Sequence, residues 1–147
     1  MTTDQEFPTL LQTVLDTTDA RGLAEFYRQL FGWRYRPGDE PPAAGAPDPR
    51  GSDWLVLQDA AASTRLAFQQ VSELPEASWP SNTPHPQQLH LDFMVHSVAE
   101  LNRQHERALT LGARLRLDRT DDPEEPLYVY ADPAGHPFCI FVGSPPS

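Results

Sequence analysis

No lysine occurs among the 147 residues of this chain, whose basic side chains are eleven arginines and five histidines. Aspartate and glutamate together number 21, so the formal net charge at pH 7 is −10. A negative field of this kind repels phosphate backbones and anionic lipid surfaces, and it attracts cationic ligands. We therefore expect neither a nucleic acid nor a membrane as a partner.

Long apolar runs are missing as well, and no segment approaches the ~20 residues that a membrane-spanning helix needs. Cys139 is the single cysteine, which excludes an internal disulfide and favours a reducing compartment. The residues Met1–Glu6 are acidic and polar, unlike the basic and apolar regions of a signal peptide. These features predict a cytoplasmic protein, and the length fits a single domain over residues 1–147.

Three catalytic motifs are also absent. The sequence contains no Gly-rich phosphate loop after a predicted strand, no G-x-S-x-G turn and no Cys-x-x-Cys pair. Nucleotide-dependent and serine-hydrolase functions therefore have no support in the sequence.

Apolar residues at helical spacing predict two helices. The first begins after Thr18 or Asp19, either of which can cap it, and ends at Gly32. The second covers residues 98–111 and ends at Gly112. Runs rich in β-branched and aromatic residues predict strands at 9–16, 33–36, 54–58, 64–71, 88–95, 114–117, 127–131 and 138–143.

The order strand, helix and three strands thus occurs twice. Residues 32–36 (GWRYR) match residues 112–116 (GARLR), each directly after a predicted helix. An internal repeat of supersecondary units usually means that neither unit buries its apolar face alone. We predict module 1 at about 8–73, a proline-rich linker at about 74–87 and module 2 at about 88–144.

Two segments resemble signatures of the vicinal oxygen chelate superfamily, which includes glyoxalases, bleomycin resistance proteins and extradiol dioxygenases. Residues 19–33 (DARGLAEFYRQLFGW) resemble its first helix, and residues 130–136 (YADPAGH) resemble the turn before its last strand. The resemblance implies an α+β fold in which two βαβββ modules form a curled mixed-sheet cup with the helices outside. Relatives often pair, so it also leaves a homodimer open.

In this superfamily a divalent ion is commonly held by His and Glu residues on the first and last strands of each module. The corresponding positions here are Gln12, Ala67 (or Gln69 with a shifted register), His90 and Cys139. None of them is a carboxylate, which hard ions such as Mg²⁺ and Mn²⁺ prefer. We therefore expect no cofactor and no tightly bound metal.

A divalent metal stays open as the alternative. The resemblance would place it on Gln12, His90 and Cys139, with Asp16 or Asp92 supplying a displaced carboxylate.

Strand alternation assigns the half-polar strand faces to the cup, where aromatic walls beside a few polar groups are typical of a small-molecule pocket. His90 and Asp92 are the candidates for acid–base chemistry. Trp79, in the linker, either covers the mouth of the cup or anchors the loop. The predicted ligand-binding residues are Gln12, Asp16, Trp54, Gln69, His90, Asp92, Met94, Tyr128 and Phe141.

Two functions follow from this resemblance, and the sequence leaves open whether the chain is an enzyme. The first is a protein that holds a small organic molecule, cationic or aromatic, in the cup without a tightly bound metal. The alternative is a divalent-metal-dependent lyase, isomerase or dioxygenase of the glyoxalase type. The lost chelating positions and the negative charge favour the first.

Overall fold

The computed structural model describes residues 7–143. The expectation about a signal peptide rests on Met1–Glu6 and falls outside the described residues. Module 1 contains β1 (Thr13–Thr17), α1 (Ala20–Phe31), β2 (Arg34–Tyr35), β3 (Trp54–Gln58) and β4 (Arg65–Gln70). Module 2 contains β5 (Leu91–Val95), α2 (Val98–Leu111), β6 (Arg114–Asp118), β7 (Leu127–Ala131) and β8 (Pro137–Val142).

Each module builds one four-stranded mixed sheet. The strand orders are β1-β4-β3-β2 and β5-β8-β7-β6, so the two sheets have the same topology. In each sheet the first strand pairs in parallel with the last, and the other neighbours are antiparallel. The predicted α+β fold of two βαβββ modules is confirmed.

Both helices start and stop where the sequence predicts. The Asp19 carboxylate accepts the amide N–H of Gly22 at 3.0 Å, and the Ser97 hydroxyl caps α2 in the same way. Gly32 ends α1 in the left-handed conformation with φ of 71°. Gly112 ends α2 with φ of 117°. Glycine adopts positive φ without a Cβ clash, which explains why both repeats carry it after the helix.

Two predicted strands begin later than expected. β1 starts at Thr13 instead of residue 9, and β5 starts at Leu91 instead of residue 88. Thr13 pairs with Leu66 near the start of β4, and Leu91 pairs with Phe138 near the start of β8. A segment needs a partner to form a ladder, and the residues upstream of both positions have no paired strand among residues 7–143.

Helix α1 belongs to the cores of both modules. Phe31 of α1 stacks on Phe93 of β5 with ring centroids 3.9 Å apart, and Phe26 meets Phe138 of β8 at 5.9 Å. The Tyr27 hydroxyl donates a 2.6 Å hydrogen bond to the buried Asp132 of module 2. The modules therefore share one apolar core that lies between the helices and the sheets. Within residues 7–143, no helix is long and apolar enough to span a membrane.

Candidate functional site

A small hollow of about 230 Å³ lies on the module 2 sheet. Alternate residues of β8 separate its two faces: Phe138 and Ile140 join the core beneath the helices, whereas Cys139 and Phe141 line the hollow. The hollow is lined by Trp79, His90, Asp92, Leu117, Arg119, Glu125, Leu127, Val129, Cys139 and Phe141. We call this hollow the module 2 cup.

His90, Asp92 and Cys139 converge in the cup. One ligand atom of each, a ring nitrogen, a carboxylate oxygen and the sulfur, lies within 4.8 Å of the other two. The contact between His90 Nε2 and Asp92 Oδ1 is 3.3 Å. Asp92 and Cys139 are register partners on the parallel strands β5 and β8, which places their side chains on the same face.

Two neighbours hold the imidazole of His90. Its Nδ1 lies 3.1 Å from the side-chain oxygen of Gln87, so the tautomer with a proton on Nδ1 donates there. The indole of Trp79 stacks on the ring at 5.1 Å with an interplanar angle of 21°. With Nδ1–H donating to Gln87, the Nε2 lone pair faces Asp92, a geometry that favours a cation between them.

The cup has mixed charge. Asp92 and Glu125 contribute carboxylates, and Arg119 contributes a guanidinium that pairs at 3.3 Å with Asp122. Burial and the neighbouring Asp92 carboxylate raise the pKa of the Cys139 thiol to about 12. Without a metal the sulfur is therefore a protonated thiol at neutral pH and a poor nucleophile.

A second and larger cavity, of about 470 Å³, lies where the two modules meet the linker. Two of the predicted ligand-binding residues, Asp16 and Gln69, line this cavity and not the module 2 cup. The sequence-predicted set is therefore divided: His90, Asp92 and Phe141 meet in one cavity, and Asp16 and Gln69 in another.

Four predicted residues line neither cavity. Tyr128 faces α2, where its ring stacks on His105 with centroids 3.9 Å apart, so its predicted place in the cup is wrong. Met94 lines a different hollow with Leu30 and Phe31. Gln12 and Trp54 line neither the module 2 cup nor the larger cavity.

Register explains these differences. Tyr128 pairs with Ile140, whose side chain faces the helices, so the same parity turns Tyr128 away from the cup. Gln12 precedes β1, and its side-chain oxygen is buried with no hydrogen-bond partner in the described part of the chain.

The ligand-binding residues predicted from the sequence omit four polar or aromatic residues of the cup and its rim, namely Gln87, Trp79, Arg119 and Glu125. All four lie in the linker or in the segment between β6 and β7, where no periodicity assigns a direction. Trp79, for which the sequence left covering the mouth and anchoring the loop both open, stacks on His90 and lines the cup. The sequence did carry one signal for a rigid loop here, because proline restricts the backbone and the segment contains Pro75, Pro80, Pro84 and Pro86.

Comparison with known families gives a match over most of the chain. A model of the glyoxalase-like domain matches residues 12–141. The chain belongs to this family. Its place in the vicinal oxygen chelate superfamily is thereby confirmed, and no curated protein matches the chain in sequence.

Solved structures of the superfamily superpose on this glyoxalase-like chain. The fosfomycin resistance protein FosX from Mesorhizobium loti is 18% identical, with 94% of each chain covered and a TM-score of 0.65. FosX from Listeria monocytogenes is 16% identical, covers 94% of this chain and 95% of its own, and has a TM-score of 0.66. A glyoxalase/bleomycin resistance protein/dioxygenase family enzyme from Burkholderia phytofirmans PsJN is 17% identical (90% and 96% covered) with a TM-score of 0.64. At these identities the likeness establishes the fold alone.

Members of the superfamily often use a divalent metal, so the donor set of this glyoxalase-like chain can be tested for fit. His90, Asp92 and Cys139 offer one nitrogen, one oxygen and one sulfur, which suits a borderline ion such as Zn²⁺ with an open fourth position. The same set suits Mg²⁺ or Mn²⁺ poorly, because it has a single carboxylate. Asp92 supplies the oxygen ligand in place of Gln12, which the resemblance placed in the metal set but which does not line the cup.

Proposed function

We propose that this glyoxalase-like chain binds a small organic molecule in the module 2 cup without a tightly bound metal. The observation that carries the proposal is the stack of Trp79 on His90, which places an aromatic wall from the linker beside the sheet. Phe141, Leu127 and Val129 continue the apolar lining. Apolar walls with a few convergent polar groups are the usual composition of a ligand pocket.

The charges and size of the cup favour a small cationic aromatic. Asp92 and Glu125 outnumber the single guanidinium of Arg119, which itself is paired with Asp122. The net charge of −10 reinforces this preference by attracting cations from a distance. A volume of about 230 Å³ admits one substituted ring. An aromatic cation would stack on Trp79 and place its charge beside Asp92.

The test is a titration with benzamidine and its neutral match benzamide, followed by calorimetry and tryptophan fluorescence. We expect benzamidine to bind more tightly than benzamide, and Asp92→Asn to weaken benzamidine about tenfold. Trp79→Phe should remove the fluorescence response, since Trp33 and Trp54 lie outside the cup. Bleomycin extends the panel to a large cationic ligand. Flat titrations with all three compounds would end the proposal.

The convergence of His90, Asp92 and Cys139 supports a second candidate, a divalent-metal-dependent lyase, isomerase or dioxygenase of the glyoxalase type. In this function the ion would polarise adjacent oxygen atoms of the substrate. Elemental analysis of the purified protein separates the two functions. We expect the purified protein to contain less than one metal ion per chain. Near-stoichiometric zinc that is lost in His90→Ala would show instead that the protein is a metalloenzyme.

Two further expectations remain proposals. The single cysteine, buried in the cup, is consistent with a cytoplasmic protein. Leu10 and Leu11, with 86% and 61% of their surfaces exposed ahead of β1, are available for a homodimer contact. Sedimentation of the wild-type protein and of a Leu10→Ser, Leu11→Ser double variant tests the dimer. If these residues form the dimer contact, the variant should sediment with a smaller mass than the wild type.

A further inference from the structure

The larger cavity is formed jointly by both modules and the linker. Module 1 contributes the end of β1 and Gln69 of β4, and module 2 contributes residues 134–137 before and at the start of β8. The linker contributes Leu74, Pro75, Ala77, His85 and Pro86, and residues 88–89 ahead of β5 complete the lining. His136 ties these parts together, because its Nε2 lies 2.6 Å from the backbone oxygen of Asp16. We call this space the junction cavity.

Most of the junction cavity wall is hydrocarbon. Val14 of β1 and Leu89 ahead of β5 are 39% and 47% exposed, although both are large apolar side chains. They come from different modules and line the same space, together with Leu74, Pro75 and Pro137. A volume of about 470 Å³ is within the range of pockets that enclose small organic ligands.

One charged side chain lines the cavity, and it has no partner. Within residues 7–143, the Asp16 carboxylate takes part in no hydrogen bond or ion pair, and it is half-buried. No arginine lines the cavity, and the chain contains no lysine. The ring of His136 is already engaged with a backbone oxygen, which leaves His85 as the remaining imidazole. An unpaired carboxylate against an apolar wall is matched by a cation on an apolar body.

We propose that the junction cavity is a second ligand site, specific for a small apolar amine. The protonated amine donates hydrogen bonds to the Asp16 carboxylate and to the side-chain oxygen of Gln69, which also has no partner in the described chain. The hydrocarbon body displaces water from Val14 and Leu89, and this burial supplies most of the affinity.

This site is independent of the function proposed for the cup. The linings of the two cavities share no residue. The amine site also lacks the aromatic wall of the cup, because no Phe, Tyr or Trp side chain of the described residues lines it. A ligand that contacts β1, the linker and residues 134–137 at once binds only the assembled pair of modules, so it stabilises the folded protein.

The test uses adamantylamine and its neutral match adamantanol, which are rigid, apolar and unable to stack on Trp79. Binding to the full chain is followed by NMR shifts of the Leu89 and Gly135 amides. We expect the amine to bind at least about tenfold more tightly than the alcohol, and Asp16→Asn to remove this difference while adamantanol binding is unchanged. Leu89→Ala should weaken both compounds.

Asp92→Asn is the matched control, because it removes a carboxylate from the module 2 cup only. Unchanged adamantylamine binding in this variant supports the separate site, whatever the outcome of the benzamidine titrations. The proposal is overturned if the two compounds bind equally, if Asp16→Asn has no effect, or if the shifts fall on Trp79 and His90. The absence of any shift at about 5 mM amine also overturns it.

Discussion

At the scale of single residues, Asp132 shows how a loop motif can be structural. Its carboxylate is fully buried and accepts three hydrogen bonds, from the Tyr27 hydroxyl at 2.6 Å and from the amides of Ala134 and His136 at 2.9 and 3.0 Å. These contacts fix the turn before β8 and join it to α1 of the other module. Residues 130–136, which resemble the superfamily signature, therefore have a structural role, and they place His136 beside Asp16.

Asp132 should make stability depend on pH. Burial raises its pKa above the unfolded value of 3.8, although the Tyr27 hydroxyl acts in the opposite direction. As the pH rises from 3.8 through the folded pKa, the unfolded chain loses its proton first, so the free energy of unfolding falls. Asp132→Asn removes this contribution. Urea unfolding from about pH 3 to about pH 7 should therefore show a wild-type minus variant difference that decreases with pH.

Asp122→Asn provides the control of opposite sign. A backbone hydrogen bond from Glu124 lowers the pKa of Asp122, so its contribution appears as the pH rises and is lost in acid. A constant wild-type minus Asp132→Asn difference across the range would show that Asp132 does not titrate there.

At the scale of elements, the two helices end in the same way in both modules. Gly32 has φ of 71° and ψ of 23°, and an added Cβ would meet no atom within 4 Å. Only the backbone conformation therefore opposes a side chain at this position. We expect Gly32→Ala to lower the free energy of unfolding by about 1 kcal/mol, and Gly32→Asn by less, because asparagine tolerates the left-handed region. Urea denaturation of the two variants measures the difference, and equal losses would contradict this explanation.

The same elements show what the sequence can predict. Helical spacing and capping residues located both helices, because these signals lie within the helix itself. The starts of β1 and β5 were placed too early, because a strand begins where its partner begins, and the partners β4 and β8 lie about 50 residues further along the chain.

The residues of the candidate site also differ in whether a local sequence pattern could predict them. His90, Asp92 and Phe141 could be assigned from alternation on strands or next to them, and the structure brings them together. Placing Tyr128 correctly requires the register between β7 and β8, and placing Trp79 requires the path of the linker. Neither is encoded in a local pattern, since both depend on contacts between distant segments.

At the scale of the whole molecule, the modules cannot be independent folding units if they share the core around α1. Phe31 lies between them: it belongs to module 1, and its closest aromatic partner is Phe93 of module 2, at 3.9 Å. Arg107 of α2 adds hydrogen bonds to the backbone oxygens of Gln29 and Leu30 at the end of α1. Loss of packing at this boundary should therefore weaken both modules together.

Phe31→Ala tests this coupling. Truncation of the half-buried ring should lower the free energy of unfolding by about 2–3 kcal/mol, and unfolding should remain a single transition. Hydrogen exchange of the slowest amides in β3 and in β8 should accelerate by the same factor, because both exchange through one global opening. Val98→Ala, at an exposed position of α2, should leave both strands unchanged. Acceleration confined to β3 would show instead that module 1 opens alone and that the shared core does not couple the two halves.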